Sequence, residues 1–246
     1  MSTATLATPS RAHAPSGRIR NVIRLQYVNR STFIWIPLMV LGAAWVLTIV
    51  IFALLSGNGI TEVKTGGGSQ APMWYFFAVG LQAMTLTFPF SQALSITRRE
   101  FFLGTVASAA LASAGLAVVF MLLGLVEKAT NGYGINGYFA YMPWLWQSGP
   151  AAAALTSFTV AMFAFTVGFW GATLFKRFGM PILMLILVGL AAVLVGIIAI
   201  ITLSHSWVAV GNWFTQTGSL GLTLWLLALT AVMTVGSYLT LRGMRA

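Results

Sequence analysis

"LSITRREFF", Leu94–Phe102, sets Arg98, Arg99 and Glu100 side by side in a chain with only 13 basic and 3 acidic residues among 246. Uncharged apolar runs lie on both sides of it, at about 73–95 and 101–126. A helix that crosses a bilayer needs roughly 20 apolar residues at about 1.5 Å each. Both runs are long enough, so the charged triplet reads as a turn between two membrane spans. The same rule finds four more runs, at about 32–55, 150–175, 180–203 and 219–241. None has Asp, Glu, Lys or Arg in its interior. Lipid cannot satisfy an open backbone, so spanning runs must be helices or a closed barrel. These runs are continuous rather than alternating, which excludes a barrel. The expected fold is an all-α integral membrane protein with six transmembrane helices.

Composition agrees. Hydrophobic residues make up 59% and charged residues 7%, against about 25% charged in a soluble domain. The mean hydropathy is +0.90. There is no cysteine, which excludes disulfides and thiolate metal sites, and His13 and His205 are the only histidines.

The basic residues set the orientation. Lys and Arg collect on the cytoplasmic side of membrane proteins. Arg11, Arg18, Arg20, Arg24 and Arg30 precede the first run. Arg98 and Arg99 follow the second, Lys176 and Arg177 the fourth, and Arg242 and Arg245 the sixth. On the opposite side stand only Lys64 and Lys128. Both termini are therefore expected in the cytoplasm of a multi-pass cell-membrane protein. A net charge of +10 also raises the idea of nucleic-acid binding. These arginines track helix ends, so anchoring explains them and no nucleic-acid partner is expected.

Residues 1–16, with small polar residues and two prolines, read as a disordered cytoplasmic tail. Residues 17–30 place Ile19, Val22, Ile23 and Tyr27 on one helical face and Arg20, Asn21 and Arg24 opposite. That pattern suits an amphipathic interfacial helix. Residues 31–246 form the six-helix domain. Of the outward loops, 56–72 contains the flexible-looking "TGGGSQ". The loop at 127–149 crowds Tyr133, Tyr138, Tyr141, Trp144 and Trp146 into what reads as an interfacial aromatic belt. Residues 204–218 either lie in the outer interface or partly re-enter the membrane. Small residues recur at every fourth position, as Gly104, Ser108 and Ala112, as Ala109 and Ser113, and as Gly168 and Ala172. Such stripes let helices approach closely. Pro89 is expected to kink the second span, and Pro181 suits the first turn of the fifth. Gln82 lies in the middle of the second span with Thr85 and Thr87 nearby. Its default reading is interhelical glue, and the other is a polar group lining a path.

Thr97 and Glu100 have the spacing of a capping box, with Thr97 as N-cap of the third span. This accounts for Glu100, and the leaflet accounts for Arg98 and Arg99. The stretch "SITRREFFLGT", Ser95–Thr105, also resembles the permease subunits of ABC exporters of the drug, lipid and polysaccharide type. In that family a short coupling segment joins the second and third spans. It often has the form glycine–x–threonine–arginine–arginine, then an acidic and an aromatic residue. Ser95 stands here where glycine is usual. The resemblance extends to the layout of amphipathic arm, six spans and inward termini.

The resemblance implies a subunit that forms the substrate path and docks through Ser95, Thr97, Arg98, Arg99, Glu100 and Phe101 on a separate ATPase. Phe101 would anchor in an apolar notch of that partner. Two ATPase copies would carry ATP and Mg, beside a second permease, identical or paralogous. No G-x-x-x-x-G-K-[ST] loop occurs, so the chain itself is not expected to be an enzyme or to hold a cofactor. A secondary transporter and a non-transporting structural subunit remain as alternatives. The first usually needs ionisable groups inside the membrane.

Overall fold

The computed structural model describes residues 31–243. The tail at 1–16 and the interfacial helix at 17–30 lie outside the described residues. The described chain is almost wholly helical. A π-turn at Ser31–Trp35 leads into α1, Ile36–Gly57. The second apolar run forms α2, Ala71–Gln82, a π-turn at Ala83–Thr87, and α3, Phe88–Ala93. Then come α4, Arg98–Ala129, α5, Pro150–Leu203, and α6, Trp207–Arg242. Two residue pairs form the only sheet among the described residues: β1, Lys64–Thr65, beside β2, Gly137–Tyr138, in parallel.

Four of these helices are long and apolar enough to cross a membrane: Thr32–Gly57, Arg98–Ala129, Pro150–Leu203 and Trp207–Arg242. The sequence suggests six; the remaining apolar runs do not form separate long helices among the described residues, for two backbone reasons. Pro89 has no N–H, and its ring crowds the carbonyl four residues back. The chain widens into the π-turn just before it, which splits 71–93 into shorter helices. At the other site, α5 runs unbroken by hydrogen-bond pattern for 54 residues, yet Gly179 has φ 80 and ψ 176 inside it. The chain changes direction there, with Pro181 in the first turn of the helical stretch beyond the bend. Gly218, at φ 63 and ψ 177, breaks α6 in the same way.

The core is built by backbone approach. A Cβ on Gly80 would strike the Phe165 carbonyl, and one on Gly168 would strike the Phe77 carbonyl. So α2 and α5 touch main chain to main chain. Ser108, Ala109 and Ser113 are fully buried on α4, as the small-residue stripe suggests. Residues 150–178 and 219–242 run parallel, with Thr156 Oγ1 2.8 Å from Thr223 Oγ1 and Trp170 Nε1 donating to Thr240 at 3.2 Å.

Charge is segregated by end. Lys176 Nζ lies 5.9 Å from the Phe88 ring, and Arg177 donates to the Thr240 carbonyl at 3.1 Å. Those contacts put Arg98, Arg99, Lys176, Arg177 and Arg242 at one end of the bundle. Lys64 and Lys128 lie at the other.

One loop expectation changes, and a second loop gains detail. The glycine-rich segment is a packed piece, with Gly66 against Phe52 and Gly68 against Thr48 of α1. Close approach requires glycine at Gly68 and favours it at Gly66, while Gly67 faces open space. The aromatic loop is a folded cap. Trp146 is buried over Gly124, and Tyr141 packs on Trp146 at 5.3 Å. Trp144 alone of its five tyrosines and tryptophans stays exposed.

Candidate functional site

The turn at 94–99 is two helix caps set back to back. Helix α3 ends in a Schellman motif. Ser95 adopts φ 56, its N–H donates to Gln92 O at 3.0 Å, and Ile96 N–H donates to Ser91 O at 3.1 Å. The next residue but one starts α4. Thr97 Oγ1 accepts from Glu100 N–H at 3.3 Å and donates to Glu100 Oε2 at 2.8 Å. The Thr97 N–H also donates to Oε2, at 3.1 Å. Two of the orphan amides of the helix start, those of Thr97 and Glu100, are thus answered from within the turn. The Gln92 side-chain amide adds a clamp to Ile96 O at 3.3 Å.

The expected site residues divide by exposure. Ser95, Thr97 and Arg99 are exposed, and Arg98 and Glu100 are half-buried. Phe101 is fully buried and meets Phe88 edge-on with centroids 5.2 Å apart. It holds the turn to the bundle from inside, so the anchor role in a partner's notch is withdrawn. Leu94, at 51% exposure, is the apolar side chain this turn presents. Gln82 and Thr85 are both exposed on the outer face of the second run, and Thr85 Oγ1 donates to Leu81 O at 3.0 Å. Gln82 therefore is not glue between helices of this chain.

A second polar centre, which the sequence reading left among the span ends, sits at the opposite end. Glu127 is fully buried in the last turn of α4. Its Oε2 accepts three successive backbone N–H groups, from Phe139 at 3.1 Å and from Ala140 and Tyr141 at 2.8 Å each. Oε1 accepts from the Tyr133 hydroxyl at 3.5 Å, and that hydroxyl accepts from Trp45 Nε1 at 3.1 Å. Burial holds the Tyr133 phenol above its ordinary value. The nearby Glu127 charge pushes the same way, and the Trp45 bond opposes it. Lys64 is buried too, donating to Ile135 O at 3.0 Å and Glu62 O at 3.3 Å. One signal in the sequence could have found Glu127. An acidic side chain at a helix C-terminus opposes the helix dipole, so it needs a partner from elsewhere.

Searches against protein-family models, curated proteins and solved structures found no match to the chain.

Proposed function

We propose that this chain is the membrane subunit of an ATP-driven exporter, docking on a separate ATPase through the exposed face of the turn at 94–99. One observation carries the reading. At the basic end of the bundle, the chain presents a short turn locked by caps on both sides, with Arg99 and Leu94 outward and Phe101 tying it to the core. A rigid, charged, protruding turn transmits force better than a flexible loop. The resemblance of Ser95–Thr105 to an exporter coupling segment points the same way.

In this reading the chain has six spans, both termini lie in the cytoplasm, and the basic end faces inward. The two fine divisions at Gly179 and Gly218 support six. Gly179 lies at the basic end and Gly218 at the other, so the chain between them must travel the length of the bundle. At about 1.5 Å per residue, 180–203 spans about 36 Å and 207–217 only about 16 Å. The first of these makes the crossing.

A second permease subunit is supported by what the single chain leaves uncovered. Gln82 places an amide on an exposed face in mid-span, where a polar group seeks a partner. Glu127 is the buried acid that a proton-coupled carrier would use. Its oxygens are instead taken up by the loop, so the secondary-transport alternative gains nothing from it.

The test is Arg98→Gln with Arg99→Gln, which leaves the cap pair Thr97–Glu100 intact. Docking predicts normal expression and a several-fold loss of the copurifying ATPase and of transport, with the wild-type complex weighing as two permeases and two ATPases. Lys176 and Arg177 make a poor control, because Arg177 holds the end of α6. Arg242→Gln, at an exposed residue of the same end, serves instead. Wild-type coupling in the double variant, or a monomer without any ATPase, sinks the proposal.

A further inference from the structure

A cavity of about 530 Å³ opens beside α2, α4 and α5 at the end of the bundle opposite the basic one. That volume falls in the roughly 300–1,000 Å³ range of small-molecule sites. Its deep wall is Met73, Phe77, Phe120, Phe163 and Val167, and Trp74 stands at its side, 68% exposed. No charged residue lines it. Its hydrogen-bonding groups come from Ser69 and Gln70 in the turn before α2, and from Thr156 and Ser157 in the second turn of α5. Ser157 spends its donor on Ala153 O, which leaves its oxygen as an acceptor, while Thr156 Oγ1 is shared between Ala152 O and Thr223 Oγ1 of α6.

Depth decides the occupant. Residues 150–178 make a helix of about 42 Å, on which a hydrocarbon layer of about 30 Å covers roughly 154–174. The cavity reaches from Thr156 to Val167 along this helix, about 16 Å. It therefore begins near the membrane boundary, polar groups first, and ends near the midplane with apolar groups only. One leaflet has that depth and that order of chemistry. We infer that the cavity holds one acyl chain of a membrane phospholipid, with the head region at Ser69 and Gln70. Assigning it to the outer leaflet rests on the orientation proposed above. The occupancy itself does not.

The experiment is native mass spectrometry of the purified full chain after exchange into a delipidating detergent. Wild type is expected to keep one phospholipid per chain. Ala164→Phe fills the cavity and should lower that lipid-bound fraction at least tenfold. Ser69→Ala with Gln70→Ala should lower it several-fold without filling the cavity, which covers the case in which Ala164→Phe misfolds. Gly115→Leu fills a separate groove of about 340 Å³ between α1 and α4 and should leave binding intact. The inference is overturned if wild type carries no lipid, if the Ala164 and rim variants keep it, or if Gly115→Leu removes it. It is overturned as well if the bound mass is a molecule other than a phospholipid. None of these outcomes depends on which leaflet the cavity faces, so a wrong orientation would show separately, in labelling of intact cells.

Discussion

Ser95 shows how one residue records a local physical demand. Its φ of 56 lies in the left-handed region, where a side chain costs energy and glycine does not. The Schellman geometry at this place is one that glycine adopts without that cost. Ser95→Gly should therefore raise stability by about 0.5–1 kcal/mol, read as a higher melting temperature in detergent, and Ser95→Val should lower it. Glu127 makes the opposite case. Replacing it by Ala strands three backbone N–H groups, of which the buried one, at Phe139, costs about 1–3 kcal/mol when unpaired. Glu127→Ala is expected to unseat the loop at 137–141, visible as faster amide exchange there while the spans stay protected. The cap pair Thr97–Glu100 was legible from spacing, because both partners sit within four residues. Apart from the Tyr133 hydroxyl, the partners of Glu127 are backbone groups 12 to 14 residues away, and no side-chain pattern announces a backbone donor.

Helices that meet through glycine are sensitive to a single methyl group. At Gly80 and Gly168 an added Cβ lands on a backbone atom of the facing helix, which cannot rotate away as a side chain would. Gly80→Val or Gly168→Val should cost at least about 2 kcal/mol, within the usual overpacking range. Gly189→Val, where nothing lies within 4 Å, should be neutral. Thermal unfolding of the three variants in one detergent checks the contrast. The stripe holding Gly168 and Ala172 was visible as small residues four apart. Gly80 was not, since the residues four before and four after it, Phe76 and Met84, are both large. Apolar runs marked where the helical stretches lie. They did not show the π-turn before Pro89, because the choice between a kink and a widened turn depends on how the helix packs.

Over the whole molecule, 180–203 is the segment that stands apart. Leu183, Gly196 and Ile201 are its only half-buried residues and none is buried, although it is the most apolar part of the chain. Water is excluded as its solvent, but packing does not fix its path. Its ends do. Arg177 pins the chain before Gly179 to the basic end through Thr240, and Ser219, buried just past Gly218, starts the return at the Thr156–Thr223 end. A chain with no cysteine allows that path to be traced one residue at a time. Val208→Cys, exposed just beyond this segment, should react with a membrane-impermeant maleimide in intact cells, as should Asn136→Cys. Arg99→Cys should react only after the membrane is opened. If 180–203 instead lay along the inner surface, Val208 would share the protection of Arg99, and 207–217 would have to cross alone. At about 16 Å it spans half of a 30 Å hydrocarbon layer. Protection of Val208→Cys together with labelling of Asn136→Cys would therefore reduce the fold to the spans before Gly179 plus a final helix that enters from the inner side. The return of α6 along residues 150–178 would then have no physical route.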